Sequence, residues 1–180
     1  MKRVISLLVL VVCSFMVSSC GSTIRLKGSY PDSHFSKETD LQYEEVWTRV
    51  IDFFAMSGIP ITTIDKSSGL IVASRVSFLN SYTREVNGAP LDPEAYVVIP
   101  TVRGMFGNRL EPNAAITGDW EMVGDWNVRI KANGSKTIVN VNMVNVECFY
   151  RTSGLSGNTT KIPIKSTGVF ENSLLKYLTE

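Results

Sequence analysis

The 180-residue chain has one histidine, His34, three cysteines, and no marked excess of either charge, with 18 Lys and Arg against 17 Asp and Glu. Each scarcity closes a class of function. A Ser-His-Asp triad or a histidine-rich metal site would need an imidazole in the folded domain rather than in the leading polar segment, so neither of these is expected. A net charge of +1 offers no electrostatic footprint for nucleic acid and no acidic solvating tail. Long apolar runs are missing too, with one exception: Val4–Val17, broken only by Ser6, Cys13 and Ser14. At about 14 residues that run falls short of the roughly 20 a helix needs to cross the hydrocarbon layer, and it closes in small residues. What remains is an ordinary globular composition, 44% hydrophobic and 19% charged, long enough for one self-sufficient core.

Met1-Lys2-Arg3 ahead of the apolar run completes the charged start of a signal peptide. The run ends Val17-Ser18-Ser19-Cys20-Gly21, which resembles the lipobox of bacterial lipoproteins. Small residues admit the backbone to a peptidase cleft, while the Cys20 side chain offers a thiol that can be alkylated. The resemblance implies cleavage before Cys20 and a diacylglyceryl thioether plus an N-acyl chain on the new terminus, with no other cofactor. Two acyl chains already anchor a protein stably, at about 0.8 kcal/mol per buried CH₂. Removing Lys2 and Arg3 with the leader takes the side-chain charge from +1 to −1. Gly21-Ser22-Thr23-Ile24 carries no Asp after the cysteine and no acidic cluster. By resemblance to lipoprotein sorting, that implies the outer membrane, on its periplasmic face. Cys13 leaves with the leader and Cys20 carries lipid, so Cys148 has no partner for a disulfide and reads as a small buried hydrophobe.

The expected limits are a cleaved leader over 1–19, a lipidated start and flexible tether over 20–38, and a single α+β domain over 39–180. Gly21 to about Lys37 lacks apolar periodicity and holds Gly28, Pro31 and Asp32. Stretched out, it would span roughly 55 to 60 Å. Thr39 and Asp40 offer N-cap oxygens, with Gln42 as the capping-box partner, ahead of Tyr43, Val46, Trp47, Val50, Ile51 and Phe54 at helical spacing. A helix over 42–57 should close at Gly58. Two β-rich runs around Asp65–Gly69 make a hairpin, as do Asp119–Lys131 and Thr137–Thr152 around Asn133-Gly134, a preferred type I′ pair. Between them, Asn80 to Ile116 reads as irregular around one strand at Tyr96–Ile99. From Val139, Val141 and Met143 the apolar set moves to Val146, Cys148 and Tyr150, a parity switch that predicts a bulge near 143–145. Thr160–Ile164 suits an edge strand, and Ser166 or Thr167 would cap a last helix bearing Phe170, Leu174, Leu175 and Leu178. The sum is an α+β fold: an antiparallel sheet of four to six strands with an N-terminal and a C-terminal helix packed on one face.

Val46-Trp47-Thr48-Arg49-Val50-Ile51, Ser57-Gly58-Ile59-Pro60-Ile61 and Asp65-Lys66-Ser67-Ser68-Gly69-Leu70-Ile71 resemble the opening of small α+β domains in envelope lipoproteins, among them BamC-like domains of the outer-membrane barrel assembly machinery. The likeness covers about 30 residues and implies no catalytic residue. It favours a non-enzymatic module that meets the membrane through lipid and binds another envelope protein. Three constellations compete with that reading. Trp120 and Trp126, six apart on one strand, point to the same side and could stack a glycan or small molecule, although both also suit a sheet core under a helix. Arg103 and Arg109, around Gly104 and Gly107, could hold an anion. Asp119, Glu121 and Asp125 share a strand face, the arrangement a carboxylate hydrolase would need.

Overall fold

The computed structural model describes residues 25–31, 35–101, 119–151 and 159–178. These form β1 (Phe35–Thr39), α1 (Tyr43–Met56), β2 (Thr63–Asp65), β3 (Leu70–Ser77), β4 (Tyr82–Val86), β5 (Ala89–Pro90), β6 (Val97–Ile99), β7 (Asp119–Asn133), β8 (Lys136–Arg151), β9 (Thr159–Ile162), β10 (Lys165–Ser166) and α2 (Val169–Tyr177). The fold is mixed α+β, with two helices and mainly antiparallel strands. The strands exceed the four to six expected and divide between two sheets. In the larger, β2, β3, β7 and β8 lie side by side; β1 pairs with the first half of β8 and β9 with its last residues. The smaller runs β10-β6-β4-β5, and within it β4 and β6 are parallel.

α1 buries Val46, Trp47, Val50 and Phe54, an i, i+1, i+4, i+8 stripe. Its N-terminus differs from the expected capping box: Gln42 is the N-cap and makes no side-chain cap bond, while Thr39 Oγ1 accepts the Leu41 N–H. Its C-terminus closes as the glycine demands. Gly58 sits at φ +66°, its N–H reaches the Ala55 carbonyl, and the Ile59 N–H reaches that of Phe54, a Schellman motif with Ile59 and Phe54 both buried. α2 starts at Gly168 (φ +86°), with Ser166 Oγ accepting the Gly168 N–H and Thr167 Oγ1 that of Val169. Phe170, Leu174 and Leu175 join the α1 stripe and the inner sheet residues Ile71, Ala73, Met122, Trp126, Val128, Ile130, Val139, Val141 and Met143 in one apolar cluster. Val97 and Ile99 of the smaller sheet belong to the same cluster.

The β7–β8 turn differs from the type I′ pair expected at Asn133-Gly134. In the β7–β8 turn only Gly134 has positive φ (+63°) and Ser135 does not, the pattern of a type II′ turn. The type I′ pattern is in the β4–β5 turn, where Asn87 and Gly88 stand at φ +54° and +86°. That hairpin lies in the stretch read as irregular, because strands this short carry no periodicity.

The tether boundary also moves. Phe35–Thr39 pairs with Val141–Thr137 of β8 as a sheet strand, and Arg25–Pro31 lies against the smaller sheet. Its hold there comes from a single distant carboxylate, which no local pattern announces. Residues 20–24 and 32–34 lie outside the described residues.

Candidate functional site

β7 is the axis of the larger sheet, and both its neighbours bulge at the same place. Against β3, Trp126 pairs with Ala73 and Gly124 with Val76, leaving Ser74 and Arg75 opposite one residue. Against β8, Val123 pairs with Glu147 and Asp125 with Val144, leaving Asn145 and Val146 opposite Gly124. Each bulge holds a non-glycine residue in the left-handed region, Arg75 and Asn145, both at φ +52°. The β8 bulge produces the parity switch seen in the sequence. Before it odd residues face the core, and after it Cys148 does.

Asp125 fastens both bulges. One carboxylate oxygen accepts the Arg75 backbone N–H at 2.7 Å, and the other accepts Asn145 Nδ2 at 2.7 Å. Arg75 in turn pairs its guanidinium with Glu121 at 2.6 Å. Gly124 is required between them, since a Cβ there would stand 2.9 Å from the ring of buried Phe78. The expected trio does share one strand face. Glu121 and Asp125 are committed to Arg75 and Asn145, and Asp119 is exposed at the strand's start.

Among the described residues, both helices pack on the opposite side of the sheet from that face. Asn127 pairs with Asn142 and Arg129 with Asn140 across β7 and β8, and Val72 of β3 lies opposite Asn127. The result is a patch of amides and one guanidinium with aliphatic neighbours, each of these residues exposed or partly exposed.

The tryptophans lie on the other side. Trp126 is sealed from solvent, stacked on Phe170 at 3.9 Å and edge-on to Phe78 at 5.9 Å. A surface platform of Trp126 with Trp120 is therefore not formed, because α2 covers the inner face where Trp126 points. Trp120 is half-buried and packs on its cross-strand partner Tyr150 at 4.8 Å. Arg103 and Arg109 lie outside the described residues, as does Cys20. Among the described residues no cluster of three His, Cys, Asp or Glu side chains could hold a metal ion, and no helix is long and apolar enough to cross a membrane.

Cys148 is fully buried, and loss of hydration pushes its thiol up to about 12. Two buried carboxyls escaped the sequence reading. Glu171 on α2 is sealed from solvent; Ser166 Oγ donates to one oxygen at 2.7 Å, and the other has no partner. Burial raises this carboxyl, against the opposing pull of the Ser166 bond. Glu85 on β4, only 7% exposed, accepts the N–H groups of Lys27 and Gly28 and the Tyr30 hydroxyl. Burial alone would raise it, but the Gly28, Lys27 and Tyr30 donors prevail and hold it below the usual value. Helical spacing places Glu171 beside Phe170 on the buried arc, a signal available in the sequence. No such signal exists for Glu85.

No protein-family model matches the chain, and no curated protein matches it at a significant level.

Proposed function

We propose that the protein is a lipid-anchored envelope lipoprotein, held on the periplasmic face of the outer membrane through Cys20, whose α+β domain binds another envelope protein and performs no chemistry of its own. The observation that carries this reading is the sequence Val17-Ser18-Ser19-Cys20-Gly21 directly after an apolar run too short to span. Two acyl chains or more on Cys20 supply all the membrane affinity such a protein needs. A protein-binding role draws support from the sheet face opposite the two helices. Asn127, Asn140 and Arg129 place polar groups on rigid strands there, and Val72 and Val144 offer apolar contact.

Mass spectrometry of the N-terminal peptide from cells tests the anchor: the expected species begins at Cys20 and carries the diacylglyceryl and N-acyl masses. A free thiol there, or a retained leader, refutes it. For the partner, a photo-crosslinking residue at Asn127 or Arg129 should capture one envelope protein that the same residue at Asn172, exposed on α2, does not. Equal patterns from both faces would refute the assignment.

A further inference from the structure

Residues Arg25–Pro31 cross the β4–β5 hairpin and are fastened there by one side chain. Glu85 accepts the Lys27 N–H at 2.8 and 3.0 Å, the Gly28 N–H at 2.6 Å and the Tyr30 hydroxyl at 2.9 Å. Gly28 is selected by contact: a Cβ there would collide with the carbonyl oxygen of Gly88, in the type I′ turn joining β4 and β5. Glu85 is itself anchored, since its own carbonyl accepts the Thr101 hydroxyl at 2.8 Å. Three donors from four consecutive residues on one buried carboxylate make a clasp, because charge-assisted bonds in a partly desolvated setting are roughly twice as strong as neutral ones.

From this we infer that Arg25–Pro31 is a strap which shortens the lipid tether and presents the β4–β5 hairpin side of the domain toward the bilayer. The inference rests on the reading of Cys20 as the lipid attachment. With the strap fastened, seven residue steps separate Cys20 from Lys27, a reach of at most about 25 Å. With it released, the first sheet-bound residue is Phe35, and fifteen steps reach about 50 Å. Fastening therefore halves the stand-off and fixes which edge of the domain leads.

The test uses the full chain, lipidated in cells and reconstituted in phosphatidylethanolamine/phosphatidylglycerol liposomes with an acceptor dye on the headgroups. A donor dye goes on Glu94→Cys, an exposed position after β5; acylation blocks Cys20 and burial shields Cys148. Glu85→Gln and Gly28→Val each unfasten the strap, the second without touching any residue of the sheet. Both should lower energy transfer from position 94 and speed tryptic cleavage after Lys27 at least tenfold. Flotation with unchanged transfer in both variants overturns the strap. Equally fast cleavage of the unaltered chain and the variants overturns it as well, whatever the transfer. A chain that does not float with liposomes refutes the lipid attachment and with it the stand-off, while cleavage rates still report separately on the clasp.

Discussion

Replacing Asp125 by alanine should destabilise the fold by about 2 kcal/mol. The carboxylate makes two hydrogen bonds of 2.7 Å, to the Arg75 N–H and to Asn145 Nδ2, at the only two strand bulges on either side of β7 among the described residues. Bonds to a charged acceptor contribute about 1.5–3 kcal/mol when shielded; at this half-exposed position solvent competes, so about 1 kcal/mol each is appropriate. In a domain of this size that corresponds to a fall in Tm of roughly 4–8 °C. Asp125→Asn should lose only about half as much, since an amide oxygen still accepts from Arg75 and the Asn145 amide can turn to match it. Glu121→Gln is the control, for its ion pair with Arg75 joins side chains 49% and 70% exposed and should be worth under about 0.5 kcal/mol. Urea unfolding at neutral pH, followed by the emission of the three tryptophans, of which Trp47 and Trp126 are buried, measures all three variants. If the alanine variant is no less stable than Glu121→Gln, Asp125 does not hold the bulges of β3 and β8.

Gly69→Ala should cost upwards of about 3 kcal/mol, because Gly69 has φ +72° and its new Cβ would meet the backbone oxygen of Ile130, whose N–H donates to Gly69 O; thermal unfolding reads this directly. Glu171 governs stability on the alkaline side of the carboxylate range. Its folded-state value is raised by burial, so the folded protein binds more protons than the unfolded chain, and stability falls as pH rises from about 4.5 toward the raised value. Glu171→Gln should flatten that decline and leave the protein at least as stable at pH 7, as urea midpoints across pH 4–8 would reveal; a steeper decline would contradict the burial argument. Below that range the sign reverses. Asp65, held down to about 2 by the Ser67 and Ser68 hydroxyls, and Glu85, also held low, both contribute stability that is lost as pH falls through their folded-state values. The Cys148 thiol should resist a thiol-reactive disulfide reagent in the native protein at pH 8 and react promptly in urea, a contrast read by absorbance.

The sequence is most legible where a pattern is long. Tyr43, Val46, Trp47, Val50 and Phe54 repeat often enough to mark the face α1 turns to the core, and fifteen- and sixteen-residue strands leave an alternation in which a single bulge is visible as a change of parity. Short elements have no such record. β5 and β10 are two residues each, and β1 reads as tether because Phe35-Ser36-Lys37-Glu38-Thr39 holds a single apolar residue. What makes β1 a strand is the ready edge of β8, a partner a hundred residues away. Trp126 illustrates a second limit. Its spacing from Trp120 correctly places both on one side of β7, but period alone does not say which side a later helix will cover.

The acidic residues show why residue type alone misdirects a search for chemistry in this sequence. Asp65 accepts the N–H groups of Ser67 and Ser68, Glu85 those of Lys27 and Gly28, and Asp125 that of Arg75. In each case the carboxylate closes a place where the backbone has left the helix or sheet ladder and its N–H needs an acceptor: a turn, a strap and a bulge. A general acid or base is also a carboxyl near a bend in the chain, so residue type and spacing do not separate the two roles. Geometry shows the structural role directly, because each of these carboxylates accepts a backbone N–H that the local ladder leaves unpaired. For Asp125 both oxygens are engaged, and any partner that docks on the sheet face opposite the helices meets it as part of a fixed surface together with Arg75 and Glu121. If a protein docks there as proposed, its recognition depends on the bulges keeping their shape: Asp125→Ala should then weaken its capture, whereas Glu121→Gln should alter only the salt dependence.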